Sequence, residues 1–339
     1  MTRFLLSIVL TLSSLFLYSQ QDTNYVRDFR QFGNLSLAME QKANNLAAFS
    51  SYGNVLRLAT NNGFPTFGLM FSYKWLNVWF TTPLGHFNYT DPIKGETDNF
   101  GLALGYTGDH WWIRGFYEHY SGYHISNPEV FNPNWFDDNA TLPLVPGLQS
   151  RTFYANAYYG FNEETYSHRA LLWQSQAQKK SAGSWILGLS AGYDHIFSDT
   201  VIVPDDAEVF FYDLRNVTGY ETLTTGINIG YTYSFVFSER WSLGLMLAPG
   251  IATSVGVVEE VNDVRNNIEL ELGGMVEGRA MLSYHADRWF GGVSANGYML
   301  TKPINGDLFN NIHTYVRVNI GYRINMPKSK FLGRFGLSN

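Results

Sequence analysis

The chain has 339 residues, a formal charge of −6 and no cysteine. The missing thiol excludes disulfide frameworks, thiolate metal sites and a cysteine nucleophile, and the acidic balance offers no basic field for nucleic acid. Charged residues make up 15% against the roughly 25% of soluble domains, while aromatics reach 17% beside 32 glycines. That balance suits a membrane β-barrel, whose outer wall is apolar and ringed by aromatic girdles.

In Met1 to Gln20, Arg3 precedes an apolar run from Phe4 to Leu17, and Tyr18-Ser19-Gln20 turns polar. The run is short of the about 20 residues a spanning helix needs. Charge, apolar run and small residue are those of a secretory signal, cut near Ser19 or Gln20. Without cysteine there is no lipobox. Residues 21–60 carry two weak strand patterns, 33–42 and 53–60, and are expected to be periplasmic or to fold near or into the lumen of the barrel that follows. The barrel itself is expected over 61–325, with a basic tail, 326–339, on the periplasmic side.

Candidate strands then follow at 65–73, 76–82, 99–107, 110–123, 150–162, 166–178 and 183–197. Between Glu221 and Phe237, Leu223, Ile227, Ile229, Tyr231 and Tyr233 oppose Thr224, Gly226, Asn228, Gly230 and Thr232. The next strand sets Trp241, Leu243, Leu245 and Leu247 against Ser242, Gly244, Met246 and Ala248. Small residues on the inner face leave room inside a barrel. The clearest alternation runs from Asn267 to Tyr284. Ile268, Leu270, Leu272, Val276, Ala280 and Leu282 share one face, and Glu269, Glu271, Glu277 and Arg279 the other. Strand 289–301 follows, and then a last strand with Val316, Val318, Ile320 and Tyr322 opposite Arg317 and Arg323. These strands exceed the about five or six residues of soluble sheets and reach the about 9–11 of a membrane crossing. The expected fold is all-β, an antiparallel outer-membrane barrel of about twelve strands, within about ten to fourteen.

Short turns and long loops should alternate strictly along such a barrel. Two successive short connections, 161–165 and 179–183, break that parity. Either 166–178 is not a full crossing or one outer loop is short.

The stretch Tyr166-Ser167-His168-Arg169-Ala170, with Gln174, Gln176 and the run Gln178-Lys179-Lys180-Ser181-Ala182-Gly183-Ser184, resembles the family catalogued as domain of unknown function 4421, found in Bacteroidetes. Phe100 to Tyr106, Trp111 to Tyr123 and Tyr231 to Pro249 are similar as well. The resemblance implies an outer-membrane barrel and carries no catalytic residue. It singles out Arg169, Gln178, Lys179, Lys180, Ser181 and Gly183 as a motif without a role.

Lys179-Lys180-Ser181 lacks the Gly-rich approach and following helix of a phosphate loop. The bland reading is a turn or lumen contact; with Arg169, the lysines also suit lipopolysaccharide phosphates. Glu118, His119 and His124 have metal-binding chemistry, but residues five apart on a strand diverge unless Gly122 bends it. His313, Ser294 and Asn296 are ordinary polar lumen residues unless space assembles them, and no Gly-x-Ser-x-Gly marks a hydrolase. No cofactor or metal is expected. The inward charges Glu269, Glu271, Glu277, Arg279, Arg317 and Arg323 are the main functional clue. They pair and fill a narrow lumen, or line a wet one and tune selectivity. At about twelve strands a mostly filled lumen is expected.

The leading expectation is therefore a non-enzymatic pore, transporter or structural envelope protein in the cell outer membrane. Its partners would be outer-membrane lipid, lipopolysaccharide and, during biogenesis, the barrel-insertion machinery. The rivals are a barrel lipid or lipopolysaccharide hydrolase or acyltransferase, and a binding or adhesion module using loops 124–149 and 198–220. A soluble periplasmic β protein is the alternative to all three.

Overall fold

The computed structural model describes residues 21–50, 53–61, 65–82, 91–304 and 307–327, with residues 334, 336 and 337. Residues 1–20, the first half of the loop 83–98 and most of the C-terminal tail lie outside the described residues.

Fifteen strands follow in chain order: β1 (Val26–Asp28), β2 (Phe32–Phe49), β3 (Val55–Ala59), β4 (Thr66–Tyr73), β5 (Leu76–Thr82), β6 (Asp98–Thr107), β7 (Trp111–Ile125), β8 (Leu144–Gly160), β9 (Gln176–Gln178), β10 (Ala182–Phe197), β11 (Val217–Val236), β12 (Trp241–Glu260), β13 (Val264–His285), β14 (Trp289–Ile304) and β15 (Asp307–Asn325). Twelve of them form a closed antiparallel ring, because β15 pairs with β2 over its whole length, Leu308 opposite Phe49 and Asn325 opposite Phe32. Closure removes the open sheet edges, whose backbone groups hydrocarbon cannot satisfy.

The ring sharpens three sequence expectations. The weak pattern at 33–42 belongs to β2, a complete wall strand of 18 residues. Its alternation is masked by polar Asn, Glu and Lys aimed inward. The weak pattern at 53–60 is β3, an accessory strand. It pairs with the upper part of β2 and, through Leu58 and Ala59, with β7, closing the wall above the short β4 to β6. Finally, 166–178 is not a crossing. It is an inward excursion between β8 and β10, both of whose ends lie on the short-turn side. That resolves the parity break without a short outer loop.

Alternation decides the two faces. On β13, Leu270 and Leu272 are 68% and 69% exposed on the outside, while Met275, Glu277, Arg279 and Met281 are buried inside. On β10 the outward row runs Trp185, Leu187, Leu189, Ala191, Tyr193. From Trp185 to Tyr193 the strand rises about 27 Å, or about 21 Å of height at a tilt of about 40°. That matches the apolar band of a membrane barrel. Outward Trp111, Phe161, Trp185, Phe237, Trp241, Trp289 and Tyr322 ring the short-turn end. This is the aromatic girdle that the composition foreshadowed.

Candidate functional site: a sealed lumen with a charged middle

The short-turn end is closed by residues 161–181. Ser167 caps the helix His168–Leu172, its hydroxyl accepting from the Ala170 amide at 3.1 Å and donating to Gln176 at 2.6 Å. Beyond the helix Gln174 takes a left-handed backbone, φ 55°. Its side chain is held on both sides, donating to the Gly291 carbonyl at 2.7 Å and accepting from Asn319 at 2.8 Å. Leu171, Leu172 and Trp173 are buried in the lumen. Gly244 and Gly105 make the room. A Cβ on Gly244 would sit 2.8 Å from Leu171, and one on Gly105 3.0 Å from Trp173. The small inner faces read in the sequence are thus the mould of this plug.

The N-terminal segment locks the plug in place. Strand β1 pairs with β9, Val26 opposite Gln178. The Arg323 guanidinium lies 3.5 Å from the Phe29 ring centroid and donates to the Ala286 carbonyl at 2.6 Å. The family-like motif therefore has a structural place. Arg169 donates to the Lys74 carbonyl at 2.9 Å, Gln178 to that of Thr165 at 2.6 Å, and Lys179 to that of Thr23 at 2.9 Å. Lys180 lies over Tyr25, Ser181 accepts from the Val236 amide, and Gly183 packs under Tyr231 and Tyr233. All six positions lie at the short-turn end, opposite the long loops.

Replacing Ser167 by Ala should cost about 1 kcal/mol of plug stability, read as faster hydrogen exchange at the Ala170 amide; an unchanged rate would count against the cap. The plug should also respond to acid. Burial, with Arg169 beside it, holds the His168 imidazole down to about 3. It is neutral in place and takes a proton below about 6.5 when released. A depressed folded value means that this contribution is complete above about pH 6.5 and is lost as pH falls towards 3. Plug protection, corrected for intrinsic exchange, should therefore be flat above pH 6.5 and decline below it. His168→Phe should flatten the decline.

The long-loop end is closed by residues 198–216. Ile202, Val203, Ala207, Phe211 and Leu214 are fully buried against Leu46, Leu56, Leu58, Leu148, Ile196 and Phe309. Between lid and plug the lumen is polar and charged. Asp194 and Lys302 form an ion pair, and Asp194 also accepts from Thr152 at 2.6 Å and Asn311 at 2.8 Å. Asn311 accepts from Asn44, and Asn44 donates at 2.8 Å to Nε2 of His313. Since Nε2 accepts, Nδ1 carries the proton it gives to Glu118, 2.8 Å away. Lys42 completes the Glu118 pair at 3.2 Å. Lower down, Arg317 pairs with Glu40, and Arg114 with Glu277 at 2.6 Å. Asn156 and Tyr158 fill the second oxygen of Glu277.

Four of the six lumen charges expected from the sequence lie buried inside: Glu277, Arg279, Arg317 and Arg323. The side chains of Glu269 and Glu271 lie outside the described residues. Sequence reasoning missed Glu40, Lys42, Arg114, Asp194 and Lys302. Their strands place polar residues inward one at a time among aromatics, so no charged face stands out. Chemically, His313 meets Glu118 on one nitrogen and lies 3.4 Å from Thr152 on the other. The arrangement looks like a nucleophile set, but the Thr152 hydroxyl is turned to Asp194 and all these groups are buried. Ser294 is not a partner of His313; it accepts from Asn296. Among the described residues no cluster of three metal-ligating side chains occurs.

A family profile described as Domain of unknown function (DUF4421) matches residues 20–324. No curated protein sequence matches. Among solved structures, the chain is similar to the outer membrane protease OmpT from Escherichia coli, at 11% identity and a TM-score of 0.41, covering 91% of this chain and 99% of that one. It is also similar to the P. putida toluene transporter TodX, at 7% and 0.27 over 88% and 91%. The KdgM porin is a third, at 8% and 0.25 over 85% and 98%.

Proposed function

Because the chain belongs to the family described as domain of unknown function 4421, which assigns no chemistry, we propose from its lumen that it is a non-enzymatic barrel of the cell outer membrane, closed at rest. In this reading residues 1–20 are a cleaved signal and the barrel-insertion machinery seats the ring in lipid. The carrying observation is the double seal: plug 161–181 at one end, lid 198–216 at the other, and hydrogen-bonded charge between. A standing pore needs a continuous wet path. A hydrolase needs a nucleophile reachable by substrate, whereas Thr152 and His313 are buried.

The test is planar-bilayer recording of the purified protein. The expected result is no steady conductance; an ohmic channel in every insertion would overturn the reading. Loop recognition is a second reading, favoured by Phe136, Val209 and Tyr212, which are 60%, 82% and 56% exposed at the long-loop end. Protease added to intact cells should cut 126–143 and spare the short turns. Cleavage at the turns would reverse the orientation on which this second reading depends.

A further inference from the structure

Among the described residues the lumen charges do not balance. Between plug and lid, the described residues place the cations Lys42, Arg114, Arg279, Lys302 and Arg317 against the carboxylates Glu40, Glu118, Asp194 and Glu277. Each carboxylate already has a cation. Arg279 is left over. It is 7% exposed, and it makes no hydrogen bond or ion pair among the described residues. Its register explains why. Arg279 stands between Met246 on β12 and Asn296 on β14, neither of them anionic. Glu277, two residues along on the same face, has both oxygens taken by Arg114, Asn156 and Tyr158.

Arg279 lines a cavity of about 30 Å³ with Arg114, Arg317, Tyr298, Asn296 and Trp79, and with Glu118 and Glu277, whose oxygens are already taken. By this measure one water needs roughly 10–15 Å³, so the space suits about two waters or one small ion. Four lining side chains carry a buried donor without an acceptor, Nε of Arg279, Nε of Arg114, the Tyr298 hydroxyl and Nε1 of Trp79, and Asn296 carries a buried Oδ1 without a donor. An unpaired buried cation is costly, and several idle donors around one void call for a shared acceptor.

We propose that this cavity is an anion site in which Arg279, assisted by Arg114 and Tyr298, holds a small monovalent anion, a halide or a formate-sized carboxylate. The site goes beyond the closed-barrel reading and stands whether or not the barrel conducts.

Thermal unfolding of the purified full-length protein in detergent, at constant ionic strength, tests it. Sodium chloride and sodium formate should each raise the unfolding temperature saturably over sodium gluconate, by about 3 °C near saturation. Sodium sulfate, too large for the void, should not. Arg279→Gln should abolish the saturable shift, Arg279→Lys should keep part of it, and the exposed Arg240→Gln should leave it whole. In gluconate, Arg279→Gln should melt no lower than the unmodified protein, because it removes the unpaired charge. Equal curves in chloride, formate and gluconate would overturn the proposal, as would an undiminished shift in Arg279→Gln or a sulfate shift matching chloride. Should Arg279→Gln not fold, bromide soaked into crystals of the unmodified protein decides. An anomalous peak between Arg279 and Tyr298 supports the site, and its absence refutes it. Conductance in bilayers is a separate readout, so failure of the closed-barrel reading and failure of the site are distinguishable.

Discussion

Lys302→Met should destabilise the barrel by about 3–5 kcal/mol, the largest loss expected from any single lumen substitution. Lys302 and Asp194 both have side chains with no solvent exposure. Removing the ammonium leaves a carboxylate in the lumen with only Thr152 and Asn311 to solvate it. Two hydrogen bonds do not replace water around a full charge. The double variant Asp194→Asn with Lys302→Met should recover most of the loss. Asn keeps an acceptor for Thr152 and Asn311 while the charge disappears, and a buried pair replaced by neutral groups is often near neutral overall. Denaturant unfolding of protein folded in lipid vesicles measures both. If the single variant lost less than about 1 kcal/mol, water must reach Asp194, and the seal by the lid would be wrong.

Replacing Glu163–Lys180 by a short Gly-Ser turn should turn the lower lumen from dry to solvent-accessible. The chain has no cysteine, so a single introduced thiol reports without background. Ser234→Cys is nearly isosteric and buried, and the Leu171 side chain packs against neighbouring Gly244. In the intact protein a membrane-impermeant maleimide should label it slowly. Excision of the plug should raise the rate about 100-fold, the equivalent of about 3 kcal/mol of closure free energy. Through-conductance should still be absent, because the charged middle and the lid remain. Rapid labelling of Ser234→Cys in the intact protein would show that the plug does not seal.

The sequence carries its clearest message where one face of a strand is uniform. Between Asn267 and Tyr284 the inner charges and outer aliphatics separate completely, and β13 forms there. β2 was harder to read, since Glu40, Lys42 and Asn44 interrupt its inner face among small residues, yet each meets a partner on another strand. The plug was misread for a physical reason as well. Tyr166, His168, Ala170 and Leu172 alternate with Ser167, Arg169 and Leu171 as a strand would, and a five-residue helix is too short to show its own period. The broken parity of its flanking connections was the usable signal.

Composition, strand length and strict alternation by themselves determined a barrel of about twelve crossings, because lipid permits no open sheet edge. Which carboxylate meets which cation was decided only in the tertiary structure. Glu40 and Arg317, or Arg114 and Glu277, lie far apart in the chain and meet only when register and closure set their heights across the lumen. The same closure strands Arg279. Its strand neighbours in sequence suggested a polar lumen network, but its lack of a partner follows from what Met246, Asn296 and Arg114 do on other strands.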